Sequence, residues 1–206
     1  MEHINNLDVY ESEKYMSIDM STRRNLEITE TMREKNRKGT LLWVVDNTNT
    51  AMGARMIHSW LERPLIDVNK INKRNSAVEV LKNNPILRSD VIEKLNKIYD
   101  IERLSGRVVY GSANGRDLVA LKLSLMKLPE VKEILAQFDN QLLNELNDNL
   151  ELAEDVVDII DKAIVDEPPI STKDGNIIKT GYNDEVDKLR YAGTNGKSII
   201  AEIEAR

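Results

Sequence analysis

"DLVALKLSLMKL", residues 117–128, decides the fold class. Leu118, Leu121, Leu125 and Leu128 recur at steps of three, four and three, the repeat of one helical face and not the alternation of a strand. Val119 and Met126 broaden that face, and Pro129 predicts a kink or restart before "EVKEILAQF".

The same rhythm extends in both directions. Toward the N-terminus, a helix is predicted from Ser21 through "TRRNLEITETMRE", with Leu26, Ile28 and Met32 as its apolar members. "TLLWVVD" then reads as a short apolar turn. Thr50 can cap "AMGARMIHSWLER", in which Met52, Met56, Ile57, Trp60 and Leu61 make one face and Pro64 forces the exit. Asp67 caps the next segment, with Val68, Ile71, Val78 and Leu81 as its stripe up to Pro85. Two shorter helices follow in "ILRSDVIEKLNKI" and "DIERLSGRVVY". Toward the C-terminus, residues 151–164 form an amphipathic helix on Leu152, Val156, Ile159, Ile160 and Ile164. The pattern breaks at 165–182, where Pro168, Pro169, Gly175 and Gly181 surround Ile177 and Ile178, and a long loop or a small β-hairpin is expected. It resumes from Asn183 to the last residue. The expectation is an all-α, elongated helical bundle with one conspicuous loop, since the chain has one Phe, six Tyr and two Trp and is dominated by helix formers.

Composition sets limits on function. The 206 residues, 41% hydrophobic and 31% charged, can bury a core of one large or two small domains, and no run is apolar enough to cross a membrane. There is no cysteine and no secretory signal in "MEHINNLDVYESEKY", which suits a reducing, cytoplasmic setting. A net charge of −6 argues against a surface that binds polyanions indiscriminately. Arg33, Lys35, Arg37 and Lys38 form the one basic cluster, read as a solvated helix end before Gly39.

Catalytic patterns fail on inspection. "YAGTNGKS", residues 191–198, ends like a phosphate-binding loop, and Gly193, Gly196, Lys197 and Ser198 are its candidate cofactor residues. Such a loop needs a glycine five places before Gly196, where Tyr191 stands, and it must leave a buried strand, whereas "NDEVDKLRY" is helix-like. The match is therefore false, and the two glycines instead predict a weak point in a helix. His3 and His58 have no partner at metal-ligand spacing. Pairs such as Glu154 with Asp155, or Asp184 with Glu185, read as solvated faces. No catalytic residue, metal ligand or cofactor site is assigned.

Four ordered motifs carry a resemblance: "YMSIDMSTRRNLEITETM" (15–32), "TNTAMGARMIHSWLERPLID" (48–67), "IYDIERLSGRVVYGSANGRDLVALKLSLMKLPEVKEIL" (98–135) and "DGNIIKTGYNDEVDKLR" (174–190). Together they resemble the core and lever region of the MutS family of DNA mismatch-repair proteins. The resemblance implies a lead-in at 1–17, a helical lever over 18–164, a connecting loop over 165–182 and the truncated first helix of a clamp over 183–206. It implies a longer parent that uses ATP and Mg²⁺, dimerises, engages mismatched duplex DNA and meets other repair proteins, while this piece carries no ATPase and binds DNA weakly or not at all. Two other readings stay open: a paralogue acting on branched or recombining DNA, and a stand-alone helical protein-interaction module. Within the motifs, Thr50, Gly53, Arg55, Trp60, Pro64, Asp100 and Asp117 are the structural signature. Thr50 starts a helix, Gly53 permits close backbone approach, Met56 and Trp60 fill a core, Arg55 is structural or interfacial, and Asp100 and Asp117 each cap a helix, with Gly111 and Gly115 supplying the turn. Ile199, Ile200 and Ile203 are expected to lack packing partners and to fray or pair with another copy.

Overall fold

The structure, a computed structural model, describes the backbone of residues 14–204, with side chains as far as Gly193 and at Asn195. His3, most of the lead-in, and the side chains of Lys197, Ser198, Ile199, Ile200 and Ile203 lie outside the described residues. The described residues are helical, with no named strand. In chain order the α-helices are α1 (Met20–Asn25), α2 (Leu41–Val45), α3 (Ala51–Glu62), α4 (Val68–Asn83), α5 (Pro85–Leu95), α6 (Ile101–Val109), α7 (Gly115–Leu125), α8 (Leu128–Leu135), α9 (Gln141–Asp148), α10 (Glu154–Ala163) and α11 (Asp184–Glu204). They fall into two compact units: Met1–Glu102 with Lys127–Leu152, and Arg103–Met126 with Ala153–Arg206.

In the first unit, Asp19 caps α1 by accepting from Thr22 N at 2.6 Å. The helix expected to reach residue 34 ends at Asn25, a correction with a tertiary cause. Ile28 is buried and its carbonyl accepts from Leu42 N at 2.9 Å, while Glu27 O accepts from Leu41 N at 3.2 Å. To reach those partners the chain turns at Glu27, with φ +47°. The basic cluster consequently sits in turns and not at a helix end, with Lys35 and Gly39 at φ +51° and +94°. "TLLWVVD" is not a turn but the helix α2, because Thr40 Oγ1 accepts from Trp43 N.

Thr50 caps α3 and Asp67 caps α4, both as the sequence indicates. The faces are less buried than expected: Met56 is 55% exposed, Trp60 41% and Val78 63%. Met56 and Trp60 therefore do not fill a core. The centre is elsewhere, at Ala77 of α4, Phe138 just beyond α8 and Leu143 of α9, with Leu81, Val91 and Ile134 around them. Helix α9 has no counterpart in the sequence reading; Asn140 starts it by accepting from Leu142 N and Leu143 N, and also donates to Ser76 Oγ at 3.0 Å. Lys73–Glu145 and Lys94–Glu130 are ion pairs around this core.

In the second unit α7 packs against α10, and Leu121 and Leu125 of the one and Ile160 and Ala163 of the other are buried. The continuous helix expected over 117–128 stops at Leu125; Leu128 opens α8, with Pro129 in its first turn. Met126 is half exposed and does not extend the α7 face. Lys122 is buried along its stem and its Nζ lies 2.9 Å from Asp161 and 3.5 Å from Asp166. The expected loop or hairpin is a loop with a 3₁₀ turn at Thr172–Asp174 and one isolated antiparallel bridge, Ile164 with Ile178. Gly115 lies under this loop, where a Cβ would come 2.7 Å from Pro168 Cβ.

Candidate functional site

Six of the seven signature residues, all but Asp117, gather at the two ends of α3. At its start, "DNTNT" folds back on itself. Asp46 accepts from Thr48 N at 3.0 Å and from Thr48 Oγ1 at 2.6 Å; these bonds, then Arg37, hold its carboxyl below the usual range. Thr50 Oγ1 accepts from Gly53 N at 3.0 Å. The closeness at Gly53 is to this same loop and not to a distant backbone, since a Cβ there would stand 3.0 Å from Thr50 Oγ1 and 3.3 Å from Thr48 Cβ.

One turn on, Arg55 spans to residues 45 and 47 positions away. Its two Nη groups donate to the two Asp100 oxygens at 2.8 and 2.7 Å, and Nε and Nη2 donate to Glu102 Oε2 at 3.1 and 2.6 Å. A planar guanidinium is suited to such two-pronged contact, which fixes orientation as well as distance. Asp100, then Glu102, push its pKa further up, so it stays charged. The structure thus brings Arg55 and Asp100 together and adds Glu102, which the sequence reading did not single out.

At the other end, Arg74 of α4 lies over the Trp60 ring at 3.5 Å from its centroid. This cation–π contact, not core packing, is the role of Trp60. Arg23 donates to Glu62 O at 3.1 Å, and Pro64 O accepts from Met16 N at 2.8 Å, so the exit of α3 is bound to the segment before α1. A cavity of about 600 Å³ is lined by Thr29, Arg37, Leu42, Asp46, Ala54, Arg55 and His58. Its arginines are already matched, Arg37 by Asp46 and Arg55 by Asp100 and Glu102, and His58 Nδ1 lies 3.6 Å from Glu62. The arrangement braces helices; it pairs no nucleophile with a base.

Asp117 belongs to the second unit and has a different role from the one expected. Asn114 is the N-cap of α7, and Asp117 is the third helical residue of a reciprocal capping box. Asn114 Oδ1 accepts from Asp117 N at 2.9 Å, Asp117 Oδ2 accepts from Asn114 N at 3.1 Å, and Asp117 Oδ1 accepts from Arg107 at 2.7 Å. The Asn-x-x-Asp spacing was the signal that could have found it. Gly111 makes the preceding turn at φ +66°, whereas Gly115 is already helical. Tyr191–Ser198 lie within α11, helical in backbone except at Asn195, with Gly193, Gly196, Lys197 and Ser198 all inside that span. Among the described residues no group of three or more His, Cys, Asp or Glu is placed to hold a metal ion, and no helix is long and apolar enough to cross a membrane.

A family model described as MutS domain III matches residues 21–206. The chain belongs to the MutS domain III family. Proteins named DNA mismatch repair protein MutS match it along its whole length: that of Alkaliphilus oremlandii is 51% identical over 204 residues, covering 99% of this chain and 23% of the relative. That of Acetivibrio thermocellus is 52% identical over 207 residues, covering 100% and 24%. That of Ruminiclostridium cellulolyticum is 50% identical over 205 residues, again covering 100% and 24%. The MutS domain III chain thus spans about a quarter of the length of the curated relatives it matches.

Proposed function

We propose that this MutS domain III chain is a non-catalytic helical lever of a longer mismatch-repair protein, coupling an ATPase to a DNA clamp and a mismatch-reading domain. In this reading ATP and Mg²⁺ serve the parent, which acts as a cytoplasmic homodimer on mismatched duplex DNA, and this chain touches neither nucleotide nor, to any useful extent, DNA. Matches along the whole of this chain to about a quarter of proteins named for mismatch repair support the setting. The observation that carries the mechanical part is the Arg55 fork, which ties the signature helix α3 to the residues on either side of the start of α6. A lever must resist deformation, and a two-pronged arginine clamp between distant segments supplies that resistance.

The test places Arg55→Met and Arg55→Lys in the full-length MutS protein that carries this domain. Mismatch affinity without nucleotide, and nucleotide affinity without DNA, are expected to stay within about twofold. ATP-triggered release of the mismatched duplex is expected to slow, within the roughly 5–150-fold range of site-to-site coupling, with the lysine variant intermediate. Unchanged release in a folded Arg55→Met protein refutes the reading. In calorimetry, stoichiometric binding of ATP with Mg²⁺ to this chain alone would also count against it.

A further inference from the structure

Gly193 and Gly196 are not accounted for by a nucleotide loop, and at Gly193 packing does not account for the glycine either. Gly193 is exposed, and a Cβ built there meets nothing within 4 Å. Its φ is not among the positive values, so the backbone does not demand a glycine. What glycine does contribute is softness, since it is a much poorer helix former than alanine. Between the two, Asn195 departs from helical geometry, at φ −108° and ψ 17°.

Below this point α11 is held firmly. Asn183 caps its start, accepting from Glu185 N at 2.9 Å and Val186 N at 3.1 Å. Arg190 donates to Ile178 O at 2.9 Å, to Thr180 Oγ1 at 3.2 Å and to Asp187 Oδ1 at 3.1 Å. Asp187 in turn accepts from Gly181 N at 2.6 Å. The 177–179 segment they grip is bonded to the end of α10, through Val165 N to Ile177 O at 2.9 Å and Lys179 N to Ala163 O at 2.8 Å. The first turns of the helix are therefore part of the second unit's framework.

We propose that α11 is a two-part rod, with a base clasped by Asp187 and Arg190 and a built-in hinge at Gly193–Gly196 about which the distal part reorients. The hinge belongs to this chain and stands whether or not the lever reading does.

The chain has no cysteine, so a nitroxide pair can be placed on Lys188→Cys and Glu202→Cys without background. An unbroken helix separates those positions by about 21 Å between Cα atoms. The natural glycines are expected to give a broad distance distribution extending below that value. Gly193→Ala with Gly196→Ala should collapse it to a narrow peak near about 21 Å. One narrow peak in both proteins overturns the hinge. An equally broad distribution in both overturns it too, since the spread would then be general fraying. For the clasp, Arg190→Met should speed amide exchange over residues 184–191 by about tenfold, the effect of losing roughly 1.4 kcal/mol of local protection, and leave 197–204 unchanged. Unchanged exchange over 184–191, or equal acceleration in both segments, overturns it.

Discussion

Gly115→Ala and Gly106→Ala make the same chemical change with opposite expected signs. At Gly115 the added methyl would stand 2.7 Å from Pro168 Cβ, 3.1 Å from Pro168 Cγ and 3.0 Å from Ile177 Cγ2. Pro168 cannot yield by rotamer change because it is a ring, and its carbonyl is engaged by Arg116 Nε at 3.0 Å. Ile177 sits next to Ile178, which is bridged to Ile164. Overpacking of this kind costs about 1–3 kcal/mol. Alanine at the first helical position returns about half of its full propensity advantage, about 0.5 kcal/mol, which leaves a net loss of about 0.5–2.5 kcal/mol. For a chain of this size each kcal/mol moves the melting midpoint by roughly 2–4 °C, so a fall of about 1–10 °C is expected in a thermal melt followed by far-ultraviolet circular dichroism. Gly106 lies inside α6 with nothing within 4 Å of a built Cβ. There alanine should raise the midpoint, by about 0.4–1 kcal/mol in stability. If Gly115→Ala melts at or above the parent, the loop does not press on α7 as described.

Thr50→Ala removes the acceptor for Gly53 N and should cost about 1 kcal/mol, read as a lower urea midpoint that Thr50→Ser largely restores; an unchanged midpoint would mean the cap is dispensable. Glu130 is held at about 2, down from 4.5, by hydrogen bonds from Lys127 and then Lys94. A depressed folded value means its contribution is complete above the unfolded value and fades as pH falls toward 2. The stability gap between the parent and Glu130→Gln, from urea titrations, should therefore be widest above about pH 5 and shrink through acid; a gap constant across that window would contradict the pairing.

Much of the fold was legible because helices announce themselves by period and by caps. Thr50, Asp67, Pro85 and Pro129 mark real starts. The misses share one cause, long-range contact that leaves no local trace. Nothing near Leu26 says that Ile28 will surrender helix to meet Leu42. Trp60 looks like a core residue until Arg74 of the next helix covers its ring. The site was half legible: Arg55 and Asp100 could be picked as signature residues, but that they grip each other across 45 positions could not. Asn114 and α9 are different, since the capping-box spacing and the Asn140 cap were both present to be read.

The division into two units bears on how the chain is made. The first unit closes its core with residues on both sides of α6 and α7, so no single cut releases either unit whole. Asn140 follows Ser76 by 64 residues, and at roughly 5–20 residues per second of synthesis the apolar side of α4 waits about 3–13 s for Phe138 and Leu143 to exist. During translation that surface is open to any sticky neighbour. A nascent chain stalled near Glu102 should engage holding chaperones, and one released past Leu152 should let them go.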